Sequence, residues 1–423
     1  MRALALGLAL AAVALGGCLW TKFDDAVVNP PIEFLDRPTW VQGGYGTVLA
    51  GDPTQDALLV GGYPMLASAA VFGFSSNPFL LRPGCEDATL CRLVGSPVAA
   101  GSQAGGSNCF AYGVGGGHPD MGKELGLVGG CASGQLFKLP LPPSMRDRLT
   151  DGLFRAGSAA SVFPGLLALA SSGSVVAAGS PDAGLVAVFL KKDGPPVEIP
   201  APADVDGSFG RVVALPGDEQ QGLMLAVSAP GQGRVYFYDN LAKPVLKACV
   251  QRPAPFGAVL HGFADRGRRL LAISDAAGRV EILDAGKLPA APGCAEPPAE
   301  AVVDQLRCIE DGDVGGCSDG AFGYSIATAD LDGDGGNEVI VGAPGVNVRG
   351  VANTGALAIF PIDARSEVPR YLFLSSASPD DRVGTSVAAF KKDGRVVVAS
   401  SALIKQKTPI FHCASTTPSG RCQ

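Results

Sequence analysis

Short apolar runs, each bounded by glycine, proline or serine, return along the chain in one order: a glycine-containing start, a hydrophobic run ending in Gly or Ser, and a second run led by Gly. Gly44-Tyr45-Gly46 leads to Leu58-Leu59-Val60-Gly61-Gly62 and then Ala69-Ala70-Val71-Phe72; Phe110-Ala111-Tyr112-Gly113 leads to Leu125-Gly126-Leu127-Val128-Gly129-Gly130 and then Gly134-Gln135-Leu136-Phe137. A third unit, between Ser158 and Leu190, centres on Val175-Val176-Ala177-Ala178-Gly179-Ser180, with Gly184-Leu185-Val186-Ala187-Val188-Phe189 after it. The next two are cleaner: Phe209-Gly210 with Val227-Ser228-Ala229 and Gly233-Arg234-Val235, then Phe256-Gly257 with Ala272-Ile273-Ser274 and Gly278-Arg279-Val280. Phe322-Gly323 with Val339-Ile340-Val341-Gly342 and Gly355 to Phe360 makes the sixth, and Val383-Gly384 with Val396 to Ser400 the seventh. These runs are short, rich in β-branched residues and punctuated by turn formers, so they predict strands rather than helices. Seven units about 45 to 70 residues apart predict repeated small antiparallel sheets, none able to cover its faces alone.

The sixth unit carries an acidic insert. Asp330, Asp332 and Asp334 fall at alternate positions, followed by Gly335 and by Glu338. Alternate carboxylates on a curling turn converge on one hard cation, and calcium accepts such oxygen ligands in loose geometry. Left bare, two of these charges about 6 Å apart would repel by roughly 3 kcal/mol. A helix-loop-helix calcium hand would place a glutamate where Val341 stands, and the chain there runs on as an apolar strand, which argues against it. A solvated acidic turn is the plain alternative.

Taken whole, Phe322-Gly323-Tyr324-Ser325-Ile326-Ala327, the acidic loop, Gly342-Ala343-Pro344 and Gly355 to Phe360 resemble an FG-GAP repeat, the blade of the integrin alpha-type β-propeller. The resemblance implies an all-β protein: one seven-bladed β-propeller of antiparallel four-stranded blades, whose repetition around an axis covers faces and protects edges. It places the propeller at 43–423 and leaves 18–42 as a tether, in which Ile32-Glu33-Phe34-Leu35 could supply an outer strand that closes the ring against the last blade. In that family the acidic loop joins the first two strands of a blade and binds calcium. Here this implies Asp330, Asp332, Asp334 and Glu338 as ligands, with the Gly336 carbonyl as a backbone ligand, in one site. Asp265-Arg266-Gly267-Arg268 and Lys391-Lys392-Asp393-Gly394-Arg395 occupy the corresponding place in other blades with basic residues, so those blades should bind no calcium. The departure also weakens any transfer of metal-dependent adhesion.

Composition fits turns and strands, with 58 glycines and 33 prolines among 423 residues. The first 17 residues, a short positive start at Arg2, an apolar run and Leu15-Gly16-Gly17 before Cys18, resemble a bacterial lipoprotein signal peptide. The resemblance implies lipid on Cys18 and a place on the cell envelope, at the outer membrane; a plain secretion signal with an accidental cysteine is the alternative. Loss of Arg2 with the leader moves the formal charge from -7 to -8, and no basic patch with interleaved aromatics points to nucleic acid. Lipidation of one of the 11 cysteines leaves an even ten for pairing in an oxidising compartment. Cys85 with Cys91, Cys308 with Cys317, and Cys413 with Cys422 look local. Cys109 with Cys131 would staple one blade, leaving Cys249 and Cys294, with swaps among Cys249, Cys294, Cys308 and Cys317 open. No C-x-x-C pair or His/Cys cluster favours zinc.

Catalytic patterns are absent. His118, His261 and His412 are scattered, and there is no Walker loop or H-E-x-x-H. Gly384-Thr385-Ser386-Val387-Ala388 misses the last glycine of a nucleophile elbow, and Gly323-Tyr324-Ser325-Ile326-Ala327 repeats it. The expectation is therefore a non-enzymatic, membrane-anchored binding or adhesion scaffold with a protein or glycan partner. Its recognition loops would be Ser75 to Ala104 and Ala285 to Asp319. A propeller hydrolase, lyase or accessory subunit using the central channel is the alternative, and a lectin-like propeller a sub-case.

Overall fold

The computed structural model describes residues 168–412 apart from short gaps, and before them the strands between Ile32 and Arg155. Residues 1–31 and 413–423 lie outside the description, so the leader, Cys18 and the tail cysteines do too. Among the described residues there is no α-helix, only strands and three short 3-10 turns.

The described strands form seven sheets of four or five and one two-stranded ribbon. Sheet 1 takes Tyr45–Gly51, Ala57–Gly62, Ser68–Gly73 and Leu90–Val94; sheet 2 takes Cys109–Gly115, Gly126–Cys131, Leu136–Pro140 and Phe154–Arg155. Sheet 3 is Ala168–Ser172, Val175–Ser180, Leu185–Phe189 and Val197–Pro200, and sheet 4 is Val213–Ala214, Leu225–Ala229, Arg234–Asp239 and Val245–Gln251. Sheet 5 comprises Val259–Asp265, Arg268–Ser274, Arg279–Asp284 and Val302–Arg307, and sheet 6 Ser325–Ala329, Glu338–Ala343, Ala356–Pro361 and Arg370–Leu372. In sheet 7, Val387–Lys392, Arg395–Ser400 and Lys407–His412 come from the end of the chain, and the fourth strand is Ile32–Asp36, paired antiparallel to Lys407–His412. Ionic contacts accompany that pairing: Glu33 with Lys392, and Asp36 with Lys407 at 2.8 Å.

First strands are neighbours in cyclic order: sheet 1 touches sheet 2, each later sheet touches the next, and sheet 7 returns to sheet 1. The core is correspondingly divided among sheet interfaces. Val339, Val341 and Ala343 point toward Phe263, Leu270 and Ile282 of sheet 5, while Ile340, between them in sequence, faces Val387, Ala389 and Val398 of sheet 7. Strand alternation thus explains why the second strands read as unbroken apolar runs: both faces are buried.

The recurring glycines have one physical cause. Gly210, Gly257, Gly323 and Gly384 precede the first strands of sheets 4 to 7 with φ of 83°, 86°, 87° and 93°, a region that favours glycine. A Cβ on Gly384 would stand 2.7 Å from the Ala356 carbonyl oxygen and 2.8 Å from the Ala343 nitrogen of the preceding sheet. Gly342, whose place in the repeat is taken by Ser228 and Ser274 in sheets 4 and 5, meets the Gly384 backbone directly. In sheets 3 to 6 the second strand thus ends small and the unit that follows starts with Gly, so that successive sheets can touch closely.

The two segments expected as recognition loops are not loops throughout. Ser75 to Ala104 contains the fourth strand of sheet 1, Leu90–Val94. Ala285 to Asp319 contains Cys294–Ala295, which adds to sheet 4 as a parallel fifth strand, and Val302–Arg307 of sheet 5. It also contains Val314–Gly315, which forms a two-stranded ribbon with Asn347–Val348. Of the outer strands, Val197–Pro200 and Val302–Arg307 are mostly half-exposed, so their apolar signal is weak in the sequence.

Candidate metal centre

Ser325–Ala329 and Glu338–Ala343 pair antiparallel with Ala329 opposite Glu338, so the acidic residues occupy the hairpin turn of sheet 6. The turn is organised by its own carboxylates. Asp330 accepts from the Gly333 amide at 2.7 Å through Oδ1 and from Gly335 at 3.0 Å through Oδ2. Asp332 Oδ1 accepts from the Asp334 amide at 3.1 Å, and Glu338 Oε2 from Leu331 at 2.7 Å. Leu331 is buried in the interface with sheet 7, which fastens the turn to the core.

One carboxylate oxygen from each of Asp330, Asp332 and Glu338 lies within 4.8 Å of the others. Burial pushes the Glu338 carboxyl up to about 7, the charges of Asp332, Asp330 and Asp334 push the same way, and the Leu331 amide opposes them. An all-oxygen donor set with one buried carboxylate fits a hard divalent cation and does not fit zinc.

Asp334 departs from the sequence expectation. Both its oxygens lie 3.0 Å from Nη2 of Arg266, on the hairpin turn of sheet 5, and it is not among the converging group. Gly336 donates its amide to Asp334 Oδ1 at 2.7 Å and packs against the Arg266 guanidinium. Sheet 5 grips the turn elsewhere too. Asp265 Oδ1 accepts from the Asn337 amide at 2.8 Å, Asn337 Nδ2 donates to the Ala264 carbonyl at 2.9 Å, and Arg268 holds Asp265 Oδ2 at 2.6 Å. Sequence reasoning marks Asp265 to Arg268 as a loop with basic residues that should bind no calcium, and misses that it braces the acidic loop next door.

Among the described residues two disulfides are present, Cys249–Cys294 and Cys308–Cys317, so the four cysteines whose pairing was open are joined in this way. Backbone register sets Cys109 opposite Cys131. The Cys91 side chain, Cys18, Cys85, Cys413 and Cys422 lie outside the described residues.

The serines of the near-elbow motifs join sheets. Ser325 Oγ donates to the Gly384 carbonyl at 2.7 Å, and Ser386 Oγ accepts from the Leu49 amide of sheet 1 at 3.0 Å. His261, on the first strand of sheet 5, is pushed down to about 4 by burial, and its Nε2 lies 3.0 Å from Thr328 Oγ1 of sheet 6. His118 lies outside the described residues.

No curated protein matches the chain. The fold is similar to that of virginiamycin B lyase from Staphylococcus aureus, in a catalytically inactive variant solved with quinupristin (7% identity, TM-score 0.55) and in a selenomethionine-substituted form (6%, 0.55). Each comparison covers 91% of this chain and 100% of that one, and at such identity it speaks for a propeller-like all-β fold alone. Within that fold, residues 322–360, the unit that contains the acidic hairpin, match the FG-GAP repeat.

Proposed function

We propose that the chain is a lipid-anchored, extracytoplasmic β-propeller of seven blades that acts as a non-catalytic binding or adhesion scaffold, with one structural calcium in its sixth blade. The observation that supports this most is the setting of Asp330, Asp332 and Glu338: they converge inside one hairpin turn whose remaining polar groups are tied to its own backbone and to sheet 5. Calcium there would supply the positive charge that lets buried Glu338 ionise and would order the turn. The cyclic order of first strands supports seven blades closed by Ile32–Asp36. Partners, a protein or a glycan, would meet the connecting segments at the ends of the sheets, where a rigid scaffold displays variable chain.

Chelation is the direct test. If free calcium exceeds the dissociation constant about a hundredfold, binding adds roughly 2.7 kcal/mol to stability. A chelator should lower the melting temperature by a few degrees, Asp332→Ala should abolish most of that response, and the circular dichroism of the folded protein should barely change. In chelator, Glu338 favours its protonated form more when folded than when unfolded. Stability therefore falls as pH rises from the ordinary 4.5 through about 7, and saturating calcium should flatten that slope. Calorimetry that found no calcium binding and no chelator response would remove the site.

The anchor is tested separately. The protein should partition into detergent, and Cys18→Ala should release it to the aqueous phase; unchanged partitioning of that variant would end the lipid-anchor reading.

Catalysis in the central channel is the second reading. His261 favours it, being an imidazole on a first strand that burial keeps in its neutral form, beside the Thr328 hydroxyl. Against it stand the neighbouring first strands, Ala168-Leu169-Ala170, Val213-Ala214, Ser325-Ile326-Ala327 and Val387-Ala388-Ala389, which offer small or apolar residues in place of convergent acids and bases.

A further inference from the structure

We propose that Arg266 of sheet 5 withholds Asp334 from the cation, so that the site binds through three carboxylates and its affinity is set by the contact between sheets 5 and 6. The inference rests on the calcium reading above and adds its regulation. By spacing, Asp334 is equivalent to Asp330 and Asp332 and ought to turn inward with them. Its carboxylate instead faces Arg266 Nη2 at 3.0 Å through both oxygens, while the other three acids converge without it.

Arg266 is placed there by neighbouring contacts. On one side of it Asp265 receives the Asn337 amide and Ala264 receives the Asn337 side chain, and Arg268 fixes Asp265 from the other side. The hairpin of sheet 5 is therefore held in register with the acidic turn, which keeps Arg266 beside Asp334. Because the Arg266 and Asp334 side chains are 47% and 57% exposed, the pair is screened and contributes little to stability by itself. Its consequence falls on the cation: one fewer anionic ligand and one fixed positive charge nearby, both of which weaken binding. A segment of sheet 5 that binds no cation itself thus tunes the site of sheet 6.

Calcium titrated calorimetrically into the full chain, with a double-mutant cycle, tests this. Arg266→Gln should tighten calcium binding about tenfold by freeing Asp334 and removing a repelling charge. Asp334→Asn alone should change the affinity less than about twofold, because that carboxylate is already engaged, and the double variant should lose the gain of Arg266→Gln. Arg266→Lys should keep near wild-type affinity, and melting temperatures in chelator identify any variant that fails to fold. Asp334→Asn weakening binding tenfold or more in the wild-type background, with no gain from Arg266→Gln, would make Asp334 an ordinary ligand and overturn the proposal while leaving the calcium site standing. Absence of calcium binding in the wild type itself would overturn the calcium reading and this proposal with it.

Discussion

Phe322→Ala is expected to destabilise the protein by about 3–5 kcal/mol, the range for removing a large aromatic from a core. Phe322 is fully buried at the interface of sheets 5 and 6, edge-on to Phe360 with centroids 6.0 Å apart. It also precedes Gly323, whose left-handed backbone turns the chain into the first strand, so the ring is enclosed by a turn that cannot relax freely. A small cavity would remain rather than collapse. Urea unfolding should show the loss as a lower midpoint with an unchanged slope. Phe34→Ala is the control: Phe34 is 37% exposed on the closing strand, with Lys407 over its ring at 5.6 Å, and should cost under about 1 kcal/mol. Equal costs for the two would mean that the interface between sheets 5 and 6 is not a packed core.

In sheets 3 to 6 the second and third strands are legible in the sequence because they are buried on both faces and a glycine leads the third; Lys407–His412 of sheet 7, with no leading glycine, is not. Ala168–Ser172 and Val245–Gln251 do not stand out: the first is four small residues around Leu169, and the second interrupts its apolar pattern with Lys247 and has no leading glycine. Cys294–Ala295 could not have been seen, being two residues among prolines whose partner strand belongs to another unit. At the acidic turn the carboxylates and their turn glycines were readable from spacing alone. What diverts Asp334 was not, because Arg266 lies 68 residues away and meets it only through the stacking of successive sheets. Alternation within a strand can be read locally, whereas contacts between repeats need the geometry of the ring.

Removing the Cys249–Cys294 disulfide, as Cys249→Ser with Cys294→Ser, is expected to cost about 2–4 kcal/mol. The bond spans a separation of 45 residues and joins the fourth strand of sheet 4 to a segment that leaves the third strand of sheet 5. It holds Cys294–Ala295 against Cys249–Val250, a pairing only two residues long that would be weak without it. Arg252 reinforces the same junction, meeting buried Glu281 of sheet 5 at 3.1 Å and Glu296, just past the added strand, at 2.9 Å. Those contacts should survive in part, which keeps the loss below complete unfolding. The Cys308–Cys317 bond, by contrast, spans a separation of 9 residues within one connection. Its removal should cost roughly 1 kcal/mol less, since loop-closure entropy grows with the logarithm of loop length. Urea titration of the two double-serine variants measures the difference, and limited proteolysis should find new cleavage between residues 285 and 301 in the first variant only. An equal or larger loss from the short bond would show that the cross-sheet clasp does not restrain the unfolded chain as its span requires.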